Sequence, residues 1–224
     1  MLGGRAKLPV LAEIGGPVSG AARAWSLRRA DLEALTKLAN GLDGHRAVAV
    51  SGDQRLAAAL ALAAAARAGG RRTVLVECDL ARPLLAAQVG LAPAPGLHEY
   101  LRWEATAPQI LQPLVLAGPA SRLAAEPLVC IVAGREAPEP MALLKLESFR
   151  HAIAKLRTAY DLAVLICPPP ETSHDALEEV GEQVDAVLAA VAPAGASGRA
   201  GRQLRAQLRR LRAETQGAIV VGAD

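Results

Sequence analysis

Apolar residues in this chain gather in short continuous runs. RAVAVSG (46–52), TVLVE (73–77), LVCIV (128–132), LAVLIC (162–167), VDAVLAAV (184–191) and AIVVG (218–222) are all of strand length. None alternates apolar with polar, so each predicts a strand buried on both faces, the pattern of a parallel sheet covered by helices. Between the runs the period changes. Leu32, Leu35 and Leu38 predict a helix over 29–40, and the alanine-rich stretch 55–68 predicts a slim helix suited to close packing on a sheet. Leu144, Phe149, Ile153 and Leu156 share a face of a helix over 141–158. Asp175 and Glu178 have capping-box spacing, which makes Asp175 the N-cap of the next helix. Residues 199–214 place Leu204, Leu208 and Leu211 on one stripe and Arg202, Arg205, Arg209 and Arg212 on another.

Strands alternating with helices predict an α/β fold, a doubly wound, mostly parallel sheet flanked by helices. Residues 1–27, rich in Gly and Pro, predict an N-terminal arm or linker ahead of a single domain over 28–224. Pro93, Pro95, Pro108, Pro113, Pro119 and Pro127 predict an extended excursion with short helices over 92–128.

Composition narrows the picture. Aromatics are only 2%, so the core must be built from Ala, Leu, Val and Ile. The net charge of +3 comes mostly from arginine, and no dense basic run is interleaved with aromatics, so a nucleic-acid partner is not expected. Cys78, Cys130 and Cys167 sit in or beside apolar runs without C-x-x-C spacing and read as reduced core thiols. His45, His98, His151 and His174 lie on separate segments without metal spacing. The N-terminal residues hold no run of signal-peptide type, and the uncharged run 56–66 is too short to span a bilayer. The expectation is a cytoplasmic protein with no direct membrane span, reaching a membrane only through a partner. The arginine stripe reads first as a solvated helix face and second as a contact for an acidic partner or anionic lipid.

The stretch VAVSGDQRLAAALALAAAARAGG (48–70) has the outline of a phosphate-binding element: strand, tight loop, helix. In open α/β sheets a ligand sits at the carboxyl ends of the strands, where this loop would lie. A working P-loop, G-x-x-x-x-G-K-[ST], uses glycines to wrap backbone N–H groups around phosphates, a lysine to offset their charge and a hydroxyl to hold Mg²⁺. Here Gly52 is the only glycine between Val50 and Gly69, and no lysine occurs between Lys37 and Lys145. No Ser or Thr follows the loop; Leu56 and Ala57 stand there instead. Gly52, Asp53, Gln54 and Arg55 are the candidate cofactor-binding residues. Arg55 is the one substitute cation in the loop, and Asp53 would repel a triphosphate.

The second apolar run leads into VLVECDLARPLLAAQVGLAPAPGLHEYLRWEA, and a later stretch reads LVCIVAGREAPEPMALLKLESFRHAIAKLRTAYDLAVLICPPPETSHDAL. Glu77, Asp79, Arg82 and Pro83, then Pro95-Gly96-Leu97 and Leu101, follow the order of a D-x-D-x-R-R-P…PGL pattern. Gly134, Pro138, Pro140, Leu143, Leu144, Ser148, Phe149, Tyr160, Asp161, Pro168, Pro169, Asp175 and Ala176 continue it, and PVLAEI at 9–14 resembles the entry to the same domain. This ordered set, over nearly the whole chain, resembles the bacterial tyrosine kinases (BY-kinases) of capsule and exopolysaccharide biosynthesis. The resemblance implies a P-loop NTPase-like fold with a degenerate P-loop. It implies Glu77 and Asp79 as residual catalytic candidates, Asp79 as the metal candidate and Arg82 as a further phosphate contact. Each has a plainer reading: Glu77 and Asp79 as caps of strand and helix ends, Arg82 in a local salt bridge. The family's metal-supporting acid after the fourth strand falls on Ile166, beside Cys167. Its ring-forming helix pattern leaves Glu33 without the accompanying arginines, so a ring is not expected. Its C-terminal tyrosine cluster has no counterpart in GAIVVGAD, and the two tyrosines, Tyr100 and Tyr160, read as structural.

Phosphoryl transfer rests on positioning and charge neutralisation by metal and lysine. The leading expectation is therefore a non-catalytic, pseudokinase-like relative. It would act as an interaction module in polysaccharide synthesis or export, without a cofactor. Its partner would be a polysaccharide copolymerase or an active kinase homologue at the inner face of the membrane. One alternative is an ATP-dependent tyrosine kinase using ATP and Mg²⁺ through Arg55, Glu77 and Asp79. The other is a positioning ATPase of the partition or division type, against which the ECDLARP…PGL block speaks.

Overall fold

A computed structural model describes residues 8–15, 27–123, 126–196 and 198–222. The elements run β1 (Val10–Ile14), α1 (Arg29–Gly41), β2 (Ala47–Ser51), α2 (Arg55–Ala68), β3 (Thr73–Glu77), α3 (Leu85–Val89), α4 (Leu97–Leu101), α5 (Ala107–Ile110), β4 (Gln112–Leu114), α6 (Gly118–Leu123), β5 (Leu128–Ile131), α7 (Pro140–Leu144), α8 (Glu147–Ala159), β6 (Leu162–Ile166), α9 (His174–Gly181), β7 (Ala186–Val191), a 3₁₀ turn at Pro193–Gly195, α10 (Gly198–Leu208) and β8 (Glu214–Val221).

The eight strands form one sheet in the order β1-β8-β7-β2-β6-β3-β5-β4. All neighbours are parallel except the β4–β5 pair. Successive residues of each central strand enter opposite apolar layers. Val48 and Val50 face the layer of α1 and α2, whereas Ala47 and Ala49 face that of α8, α9 and α10. Burial on both faces explains why these strands read as unbroken apolar runs.

α2 is enclosed on nearly every side. Residues 58–67 are all buried, and its alanines let it lie close to both α1 and the sheet.

The structure departs from the sequence reading at several places. Residues 10–14, inside the expected arm, form the edge strand β1 parallel to β8. The excursion over 92–128 contains the antiparallel strand β4 as well as short helices. The helix expected over 141–158 is two, α7 and α8, because Leu146 is extended and caps the second. α9 has Ser173 as its N-cap, with Asp175 in the first turn. α10 stops at Leu208, so that the chain can turn and enter β8 at Glu214.

At the amino ends of the strands, Asp185 ties three elements together. Its Oδ2 accepts from the amides of Arg46 (2.7 Å) and Ala47 (3.0 Å), and its Oδ1 pairs with Arg157 on α8 at 2.6 Å. Burial alone would raise its pKa, but the Arg157 bond and the two amides outweigh it and hold the carboxyl below its ordinary value. The folded state therefore favours ionised Asp185. That stabilisation is complete above about pH 3.8 and disappears as pH falls through the lower folded value. Asp185→Ala should cost about 2–4 kcal/mol, because it strips a charged acceptor from two amides and a guanidinium. Urea unfolding between pH 2.5 and 6 checks this: the variant should be weaker near neutrality and lose less stability on acidification.

Candidate functional site

β2 ends at Ser51, whose hydroxyl donates to the Pro168 carbonyl at 2.7 Å. The chain then reverses through Gly52, Asp53 and Gln54 into α2. Gly52 has φ +129°, and a Cβ there would collide with the Ala190 carbonyl of β7, so the turn admits only glycine. The Gln54 N–H donates to that same carbonyl at 3.1 Å, and the Arg55 N–H donates back to Gly52 at 3.3 Å. A phosphate-wrapping loop directs its N–H groups at one external point. In this shorter loop those two N–H groups are already committed to the protein's own carbonyls. Asp53 is exposed and Gln54 half-buried.

Arg55, the first residue of α2, turns inward. Its Nη2 pairs with Asp79 Oδ2 at 2.8 Å, and the two side chains are 9% and 3% exposed. Its Nη1 reaches the Gly52 carbonyl at 3.5 Å, and its Nε–H makes no hydrogen bond. The ion pair thus joins the start of α2 to the chain leaving β3, across the carboxyl edge of the sheet.

Glu77, the last residue of β3, is a three-way tie. Its Oε1 accepts from Leu84 (2.6 Å) and Leu85 (2.9 Å) at the start of α3, and its Oε2 accepts from Ala133 beyond β5 at 3.1 Å. Burial raises its pKa; the three amides pull the other way and Asp79 adds to the rise, leaving the net value above the usual one. With three N–H groups on its two oxygens, little lone-pair capacity remains for a metal.

Arg82 spans outward to Thr172, with Nη2 2.6 Å from its hydroxyl, and forms no ion pair among the described residues. Below this strap lies a cavity of about 240 Å³ lined by Cys78, Asp79, Arg82, Pro168, Thr172 and Ser173. Cys78 and Cys167 are fully buried free thiols, and burial pushes both well above the usual thiol value; Cys130 is pushed up to about 12. Ile166 packs in the layer of α2, pointing away from the cavity side on which Cys167 lies. No group of three or more His, Cys, Asp or Glu able to hold a metal occurs among the described residues.

Arg55, Glu77 and Asp79 are thus brought to one edge, with Gly52 forming the turn that makes this possible. Asp53 stays outside. Sequence reasoning missed Glu99. Its carboxylate caps its own helix by accepting from the Gly96 N–H at 2.8 Å and holds the Arg135 N–H at 3.1 Å. The G-x-x-E spacing of Gly96 and Glu99 was the signal. This fixes the PGL segment against the end of β5, where Leu97 and His98 donate to Val132 and Ala133.

No protein-family model and no curated protein matches the chain. Solved structures do. The chimerical protein CapA2B2 superposes with a TM-score of 0.79 at 17% identity, over 96% of this chain and 94% of that one. The BceF tyrosine kinase domain gives 0.75 at 18%, over 96% and 93%, and the kinase domain of the Escherichia coli tyrosine kinase ETK gives 0.72 at 17%, over 96% and 91%. The septum site-determining protein MinD from Pyrococcus horikoshii, complexed with Mg-ADP, is more distant: 0.58 at 16%, over 78% and 69%. The chain therefore has the fold of a bacterial tyrosine-kinase domain, an α/β fold it shares more distantly with MinD.

Proposed function

We propose that this chain is a non-catalytic relative of the bacterial tyrosine kinases, serving as an interaction module in exopolysaccharide or capsule synthesis and export. One observation carries the reading: the Arg55–Asp79 ion pair, 2.8 Å long and buried. In the pattern that the sequence resembles, the loop cation and this acid serve phosphate and metal. Here each neutralises the other. An incoming Mg-nucleotide would have to break the pair and also reclaim the Gln54 N–H from Ala190. Removing one partner from such a buried pair costs about 3–5 kcal/mol before any ligand contact is made.

The module would keep the kinase fold as a docking body. Its partner would be a polysaccharide copolymerase or an active kinase homologue at the inner face of the membrane. No described helix is long and apolar enough to cross a membrane.

Calorimetric titration with Mg-ATP and Mg-ADP tests the first half of this proposal. The expected result is no saturable heat at micromolar nucleotide and no rise in melting temperature on adding it. Binding at micromolar strength would overturn the reading and return the chain to the ATP-dependent enzymes.

A further inference from the structure

α9 and α10 are neighbours with opposite charge. Residues 174–182 hold Asp175, Glu178, Glu179 and Glu182 and no Lys or Arg. Residues 198–212 hold six arginines and no acid. Both helices bury their apolar stripes in the same layer: Ala176, Leu177 and Val180 from α9, Leu204 and Leu208 from α10, with Leu211 from the turn after it. Each leaves the carboxyl end of one strand and returns to the amino end of the next, so they run parallel, side by side. A Cβ on Gly181 would meet Leu211 at 3.6 Å, which places the last residue of α9 against the turn that follows α10.

The charges of the two helices are nevertheless almost unpaired within the molecule. Among the described residues, only Arg212 and Glu182 bridge them, at 4.0 Å. Elsewhere arginines find acids readily, as with Arg29–Glu33, Arg67–Glu126, Arg102–Glu104 and Arg157–Asp185. Arg202, Arg205, Arg209 and Arg210 make no ion pair among the described residues, nor do Asp175, Glu178 and Glu179. Of these, only Arg205 and Glu179 are half-buried, and the others are exposed.

An acidic helix beside a parallel basic one is self-complementary under a two-fold rotation. A two-fold axis lying in this face, parallel to the helices and passing between them, lays α9 of one copy along α10 of the other, twice. In such an isologous contact, residue i meets j and j meets i. We infer that this face is a charge-complementary homodimer interface: the acids of α9 meet the arginines of α10 in a second copy of this chain. Exposed ion pairs are individually weak, so the association is modest in affinity and strongly salt-dependent. The inference does not depend on whether nucleotide binds.

Sedimentation equilibrium of the full chain tests it. At low salt, ~20 mM, the mass should rise with concentration toward twice 23.2 kDa, and at ~500 mM it should return to 23.2 kDa. Arg205→Glu/Arg209→Glu and Glu178→Arg/Glu179→Arg should each remain monomeric at low salt with unchanged melting curves. Mixing the two variants should restore association, because the exchanged charges then face each other at one of the two contacts while the other keeps its native pairing. A monomeric wild type at low salt overturns the proposal, as does a mixture that stays monomeric. Binding of a monomeric wild type to phosphatidylglycerol vesicles, lost in the arginine variant, would assign the arginines to a lipid surface and also overturn it.

Discussion

Asp79→Ala should destabilise the protein by about 3–5 kcal/mol, the cost of stranding a buried charge. Arg55 would be left 9% exposed with only the 3.5 Å contact to the Gly52 carbonyl. Arg55→Ala should cost a similar amount, because it leaves Asp79 buried without its cation. The informative variant is the double replacement Arg55→Met/Asp79→Leu. Apolar side chains of similar volume remove both desolvation penalties, so its stability should fall within about 2 kcal/mol of the wild type. Chemical denaturation of the wild type, Arg55→Met, Asp79→Leu and the double variant completes a double-mutant cycle, and the expected coupling is large. A catalytic role for Asp79 predicts a different outcome: Asp79→Ala would abolish phosphate transfer from labelled ATP while altering stability little.

Glu77→Ala should be the second large loss, roughly 3–6 kcal/mol, because three amides lose their acceptor at once: two are buried, each worth about 1–3 kcal/mol, and the half-buried Leu84 amide adds less. Glu77→Gln should cost far less. Its amide oxygen can still serve Leu84 and Leu85, leaving mainly the Ala133 N–H to be satisfied. The two carboxyl forms also give a pH signature. Because the folded pKa of Glu77 is raised, the native state binds its proton more tightly than the unfolded chain does. Stability from this residue is therefore greatest below the unfolded value of about 4.5 and declines as pH rises through the higher folded value. Glu77→Gln should flatten that decline. Unfolding free energies measured from pH 4 to 8 would show it, and equal slopes in both proteins would sink the assignment. This trend is opposite in sign to that of Asp185, so the two groups can be separated by their pH windows.

The six inner strands were legible because they are covered on both sides, which leaves no polar position to interrupt them. β1 was not legible. Its exposed Leu11 sits where a polar residue would mark an open face, so VLAEI shows no alternation. β4 is three residues long with Pro113 at its centre, a composition that reads as loop. The periodic leucines of 204–211 run past the true end of α10, because Leu211 stays buried in the turn that follows. At the site, the missing lysine and hydroxyl could be read directly. The Arg55–Asp79 pair could not, since its members are 24 positions apart and meet only when α2 is laid over the sheet. Glu77 was legible as a carboxylate at a strand end, but its three amide partners come from two other segments.

α2 has a consequence for how the molecule can change. From Ala58 to Ala66 every residue but Leu60 and Leu62 is alanine, and all are buried. Alanine surrenders no side-chain entropy on burial, so ordering this helix costs almost only backbone freedom. The same feature removes slack. On the helix side most of the contact is made by methyl groups, which have no rotamer to change when a neighbour grows. An added methylene in such a packed place typically costs about 1–3 kcal/mol. The middle of the protein is therefore fixed by the absence of bulk, and variation that preserves the fold must come from the rims.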